Sequence, residues 1–253
     1  MTTTHWLMDG GALSDAQWLA VTQAAGCHRL YGFMKDESAE RMGPILVPND
    51  GSVAALAEAL RADASRCWAV SELTTEAASD ALARHLGQWV HCWTADGQRF
   101  FLRFADGRSM RVVWSVLDEA QKLRLLGPVQ RWRTTGRLGE AVDLKPGVQP
   151  QSAIHRTATP HRLILSDAQF NQVLAQSWPD QLLSAVLDEA PALADGIDAR
   201  QLHELARRTC DWLEELGEDR YPQQKSALAH VLKHGGGQWV EPPSSTAADG
   251  GLA

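Results

Sequence analysis

No apolar run in this chain approaches the roughly 20 residues that cross a bilayer, and the opening Met1-Thr-Thr-Thr-His has no basic stretch leading into a hydrophobic one. Neither a membrane span nor a secretory leader is expected, and the chain reads as cytoplasmic, with no membrane partner. Cysteine is sparse. Cys27, Cys67, Cys92 and Cys210 stand far apart without a CxxC pair, which argues against a disulfide framework or a zinc knuckle and leaves reduced, mostly buried thiols. Nucleophile and nucleotide signatures are missing too, with no GxSxG, HExxH, P-loop or GxGxxG, and no internal repeat occurs. Cys27-His28 and His91-Cys92 are adjacent pairs, but neighbours on a strand point to opposite faces, so neither ring can readily activate its thiol. No spacing recommends a metal site assembled from His5, Asp9 and His28. No cofactor and no small-molecule ligand is expected. Excess positive charge is absent as well: 24 Lys and Arg stand against 31 Asp and Glu, a formal net charge of -7. Nucleic acid is therefore not an expected partner, because phosphate binding needs a larger uncompensated positive field.

What is present suits a soluble globular protein of 253 residues, with 44% apolar and 22% charged side chains and enough length for one large domain or two modest ones. Charge is unevenly placed. Residues 1 to 160 hold 17 basic and 17 acidic side chains, whereas residues 161 to 253 hold 7 and 14, so the whole deficit lies in the second part. Such asymmetry predicts two lobes with different surfaces.

The first part alternates strand and helix signals. Trp6-Leu-Met-Asp predicts a strand, and Ser14 with Gln17 forms a capping box for a helix that should stop at Gly26. His28 to Phe33, Pro44 to Pro48 and Cys67 to Val70 read as strands, Val53 to Leu60 as a helix, and Thr74 or Thr75 as the start of another helix through Leu82 and Leu86. Met110 to Leu126 reads as one long amphipathic helix. The expected class is α/β, or α+β: a mixed sheet flanked by helices in an N-terminal lobe of residues 1–133. Residues 134–160, with several Gly and Pro, read as a linker or long loop. Residues 161–236 read as a smaller all-helical lobe. In it Ser166 and Asp198 cap helices, Pro179 opens one, and the last helix runs from Pro222 to about His234. Residues 237–253 read as a disordered tail.

The richest stretch lies between Trp89 and Trp132. Alternating apolar residues flank Asp96-Gly97, the signature of a tight hairpin. On its second strand Arg99, Phe101 and Arg103 share one face and Phe100, Leu102 and Phe104 the other. Arg108 and Arg111 then open the next helix, where Asp106 is expected to act as its cap. From Arg99 to Arg137 nine basic residues meet three acids, Asp106, Asp118 and Glu119. The chain also holds ten tryptophans, and Trp with Arg is the pair most enriched at interface hot spots. Arg99, Phe101, Arg103, Arg108, Arg111, Arg131, Trp132 and Arg133 are the candidate partner-binding residues.

An ordered set of short motifs accompanies this pattern: Trp6-Leu-Met-Asp-Gly-Gly, His28-Arg-Leu-Tyr-Gly, Arg41-Met-Gly-Pro-Ile-Leu-Val, Arg84-His85-Leu86, the Asp96-Gly97 hairpin followed by Phe101-Leu-Arg-Phe-Ala-Asp-Gly-Arg, and Leu126-Gly-Pro-Val-Gln-Arg-Trp. Over about residues 5 to 133 the chain thereby resembles the adaptor-chaperone family of bacterial type VI secretion effectors. That family usually has an aromatic residue where Ala105 stands and a proline where Gly107 stands; Arg103, Phe104, Asp106 and Arg108 are retained. The resemblance implies a non-enzymatic protein that holds a cognate toxin effector and helps load it onto the VgrG spike protein, with no catalytic residues to carry over. Two other classes compete with it. One is an enzyme whose site is assembled in space from Asp106, Arg108 and either His28 or His91; the other is an immunity protein that neutralises a toxin.

Overall fold

In the computed structural model, residues 1–137, 139–147 and 162–243 are described. The chain divides into two compact units, Met1–Val173 and Leu174–Ala253.

The first unit is built on a six-stranded sheet in the order β2-β3-β1-β4-β7-β8. Its strands are β1 (Thr3–Asp9), β2 (His28–Arg29), β3 (Pro44–Pro48), β4 (Val70–Thr75), β7 (Val129–Thr135) and β8 (Ala141–Leu144). Every pairing is antiparallel, so the mixed sheet expected from the sequence is not this one. β1 lies between β3 and β4, and its alternation divides the core. Trp6 and Met8 point to one face with Ile45, Val47 and Val70, covered by Val21 of α1 (Asp15–Thr22) and by Val53, Ala57 and Leu60 of α3 (Gly51–Ala62). Leu7 points to the other face with Leu46, Leu73 and Trp132, under α4 (Ser79–Gly87), α5 (Gly107–Val116) and α6 (Glu119–Leu126). A short α2 (Glu37–Arg41) precedes β3.

A second sheet of three strands, in the order β6-β5-β9, packs its inner face into the same core as α4 to α6. β5 (His91–Thr94) and β6 (Arg99–Phe101) form the expected hairpin, and β9 (Leu163–Leu165) joins β5 in parallel. Parallel and antiparallel pairing meet here alone among the described strands.

Several expectations are corrected. His28 to Phe33 contributes only the two-residue β2. Cys67–Ala69 is a 3-10 turn ahead of β4, and Thr74 and Thr75 finish that strand instead of opening a helix. Thr75 is needed there: its hydroxyl donates to the Pro128 carbonyl at 2.8 Å. The long helix from Met110 breaks at Leu117, where Asp118 and Gln121 form a reciprocal capping box that restarts it as α6. Residues 134–160 are not all linker, since β7 runs to Thr135 and β8 completes the large sheet; residues 148–160 lie outside the described residues. Leu163–Leu165 belongs to the first unit, not to the helical lobe.

The second unit is helical. α7 (Asp167–Glu189) runs through Pro179, which forgoes one backbone hydrogen bond, so no new helix starts there; the boundary between units falls within it. α8 (Ala199–Glu215), capped by the Asp198–Gln201 box, and α9 (Tyr221–Gly235) complete a core of Leu182, Val186, Leu202, Leu205, Ala206, Leu228, Val231 and Leu232. Part of the expected tail is packed: Trp239 rests against this core, with the Arg208 guanidinium 4.3 Å from its ring centre. Residues 244–253 lie outside the described residues.

Candidate interaction surface

Most of the expected cationic surface is neutralised by carboxylates. Arg103 reaches back to the end of β1 and donates to Asp9 at 2.8 Å, with Asp106 3.6 Å away. Asp9 and Asp106 are 2% and 1% exposed. Asp106 caps α5 through the backbone N–H groups of Arg108 and Ser109, and it accepts two hydrogen bonds from the Arg108 guanidinium, at 3.0 and 2.8 Å. That guanidinium also stacks 3.4 Å over the Trp68 ring. Burial pushes the Asp9 carboxyl above its ordinary value, with the charge and hydrogen bond of Arg103 pulling the other way. Residues of the first motif and of the Arg-Phe-Ala-Asp-Gly-Arg motif therefore form one network around two buried carboxylates, tying β1 to the α5 turn.

Three further arginines are paired too. Arg111 bonds Glu140, and Arg131 and Arg133 converge on Asp143 of β8 at 3.1 and 3.0 Å. The hydrogen bond from Arg131 lowers the Asp143 carboxyl below its ordinary value. Trp132, proposed above as a contact residue, is a correction: it is 0% exposed and meets Phe104 edge-on in the core, because its neighbours Arg131 and Arg133 take the outward face of β7.

Arg99 and Phe101 are placed differently. Pairing aligns His91 with Phe101, Trp93 with Arg99, and Trp93 with Ile164, so these five side chains share the outer face of the small sheet. The alternate residues Cys92, Leu163 and Leu165 are buried on the inner face. Phe101 is 46% exposed, Ile164 53% and Phe33 55%. The rings are continuous: Phe101 lies 4.8 Å from His91 and 5.1 Å from Tyr31, and Phe33 lies 5.8 Å from His91 and 6.0 Å from Tyr31. Trp93 lies 5.9 Å from His91, with the Arg162 guanidinium 5.1 Å over its own ring. Burial, and then the nearby charge of Arg99, lower the proton affinity of His91 below its ordinary value. Arg99 makes no hydrogen bond or ion pair among the described residues. The patch is aromatic and apolar, with cationic edges. Sequence reasoning singled out Arg99 and Phe101 but missed Tyr31, Phe33, Trp93, Arg162 and Ile164. Alternation along His91-Cys92-Trp93 was the available signal for Trp93; Ile164 needed the register of β9.

The assembled acid and imidazole constellation does not form. His28 contacts Ser79 and Asp80, His91 sits among the rings, and neither is bonded to Asp106 or Arg108. Among the described residues no group of three or more His, Cys, Asp or Glu could hold a metal ion, and no helix is long and apolar enough to cross a membrane. An open hollow of about 440 Å³ on the second unit is lined by Val186, Leu193, Tyr221 and Ala229 and by the Glu189–Lys225 pair.

Residues 5–124 match the family model described as "Domain of unknown function (DUF4123)". The match runs from within β1 to all but the end of α6, including both motifs of the Asp9–Arg103–Asp106 network and the β5–β6 hairpin. No curated protein and no solved structure matches the chain.

Proposed function

We propose that this protein is a non-enzymatic adaptor chaperone that holds a cognate effector of a bacterial type VI secretion system and helps load it onto the VgrG spike. The match to a family associated with that role supports the proposal at family level. The observation that carries it is the outer face of the small sheet, where exposed rings stand beside a guanidinium that has no ion-pair partner among the described residues. A handover protein needs a surface that captures its client and lets go. Aromatic contact supplies area, while an exposed cation adds orientation and encounter rate more than residence time.

The experiment is co-purification of the tagged full-length chain from its native host with identification of what it holds, followed by effector delivery in a deletion strain. The expected result is a complex with both an effector and VgrG and loss of delivery without the chain. Binding to the toxin domain alone, with its activity abolished, would identify an immunity protein instead.

A further inference from the structure

The backbone at the rim of the aromatic face is as informative as its side chains. In the β5–β6 ladder the Leu102 N–H donates to the Val90 carbonyl and the Thr94 N–H to the Gln98 carbonyl, both at 3.0 Å. With Cys92 opposite Phe100, hydrogen-bonded pairs fall at Val90/Leu102, Cys92/Phe100 and Thr94/Gln98. Arg99 and Phe101 occupy the alternate positions, so their N–H and C=O groups turn away from β5. β6 ends the sheet, and no strand among the described residues pairs with that side. Open edges are where one chain adds to another, and native proteins commonly shorten them or arm them with charge. This one is three residues long and carries a cation at its start and a half-exposed ring at its end.

We propose that β6 is a docking edge on which an extended client segment adds as a further strand, with a carboxylate beside Arg99 and an apolar side chain two residues away against Phe101 and Phe33. This rests on the adaptor function proposed above and names the chemistry of the segment it takes. The donors and acceptors of Arg99 and Phe101 that turn away from β5 would supply main-chain hydrogen bonds, and the two-residue period of a strand would bring acidic and apolar side chains of the client onto one face. Arg99 disfavours a basic residue at the matching position, which gives the edge selectivity as well as grip.

The test uses the full-length chain and a fluorescein-labelled peptide, Thr-Asp-Thr-Leu-Thr-Leu-Thr, with a control in which Lys replaces Asp. At saturating acidic peptide, hydrogen exchange at the amides of Arg99 and Phe101 should slow at least tenfold, while that of Phe100, already bonded to Cys92, stays as it was. Arg99→Glu should weaken the acidic peptide by about tenfold and invert the preference in favour of the Lys peptide, as expected for one exposed pair exchanged for a repulsion. Arg99→Gln, binding both peptides alike, separates charge from folding. Equal affinity of the wild type for the two peptides, no binding of either, or binding without protection of those two amides would overturn the proposal. So would protection in the free protein caused by a β6-to-β6 dimer. If Arg99→Glu still retains the effector and the complex leaves both amides unprotected, the docking edge is wrong and the adaptor function stands. If the peptides behave as expected and no effector is held, the adaptor function is wrong and the edge stands.

Discussion

Arg103→Met should damage the fold, not the outer surface. The substitution keeps much of the aliphatic stem and removes the guanidinium that bonds Asp9, leaving a carboxylate at 2% exposure with the Gly11 N–H as its remaining hydrogen bond. Removing one partner of a buried pair costs about 3–5 kcal/mol. The Arg103 side chain is 45% exposed, so water replaces part of what is lost and about 2 kcal/mol is the expected destabilisation. For a chain of this size that corresponds to a melting temperature lower by about 4–8 °C, measured by circular dichroism at pH 7. The loss depends on pH with a definite sign. Burial already holds the Asp9 carboxyl above its ordinary value, and without Arg103 it rises further. A carboxyl that binds protons more tightly in the folded chain than in the unfolded one adds stability as pH falls, so the deficit is largest at neutral pH and shrinks as the raised carboxyl protonates. Asp9→Asn added to Arg103→Met should restore most of the difference, because the unpaired charge is gone. A single variant that melts within about a degree of the wild type, or a double variant no more stable than the single one, would refute the assignment of Arg103 to internal support.

Trp132→Ala should cost about 3–5 kcal/mol in urea unfolding by opening a cavity beside Phe104, whereas Phe101→Ala should change stability by about 0.5 kcal/mol and weaken client capture; the reverse order would place Trp132 outside the core. Gly107→Ala should destabilise by about 1–3 kcal/mol, since a Cβ there runs into the Thr135 carbonyl and the Thr134 hydroxyl, and a melting temperature equal to the wild type would show that β7 can give way. His5 is buried, and burial followed by the charge of His28 holds its ring below its ordinary value of 6.5. The unfolded chain therefore takes up that proton first, and stability drains away as pH falls from about 6.5 until the folded ring also titrates. His5→Phe should flatten the difference between urea midpoints measured at about pH 7.5 and 5.5, and an unchanged difference would assign the slope to other groups.

Elements governed by neighbouring residues were legible. The Ser14–Gln17 capping box, the Asp198 and Asp106 caps, β3 and the Asp96-Gly97 hairpin all stand where local chemistry puts them. The break at Leu117 was missed although Asp118 and Gln121 announce it, because the apolar stripe keeps its period across the break. β8 was missed for the opposite reason: Ala-Val-Asp-Leu has little pattern of its own and becomes a strand by pairing with β7. The cationic surface was misjudged on similar grounds. Counting charge from Arg99 to Arg137 leaves out Asp9, 94 residues before Arg103, as well as Glu140 and Asp143 just past the window, and these carboxylates are the ones that return in space to neutralise it.

β9 has a practical consequence for dissecting this protein. The family match stops at residue 124, yet the large sheet is finished by β7 and β8 and the small one by Leu163–Leu165, all encoded downstream. A bait trimmed to the matched span would expose the flank of β4 and one flank of β5, two raw seams prone to unintended association in any screen for partners. The compact unit that holds both sheets whole ends at Val173, and chimaeras that exchange the helical remainder between relatives should be spliced near there.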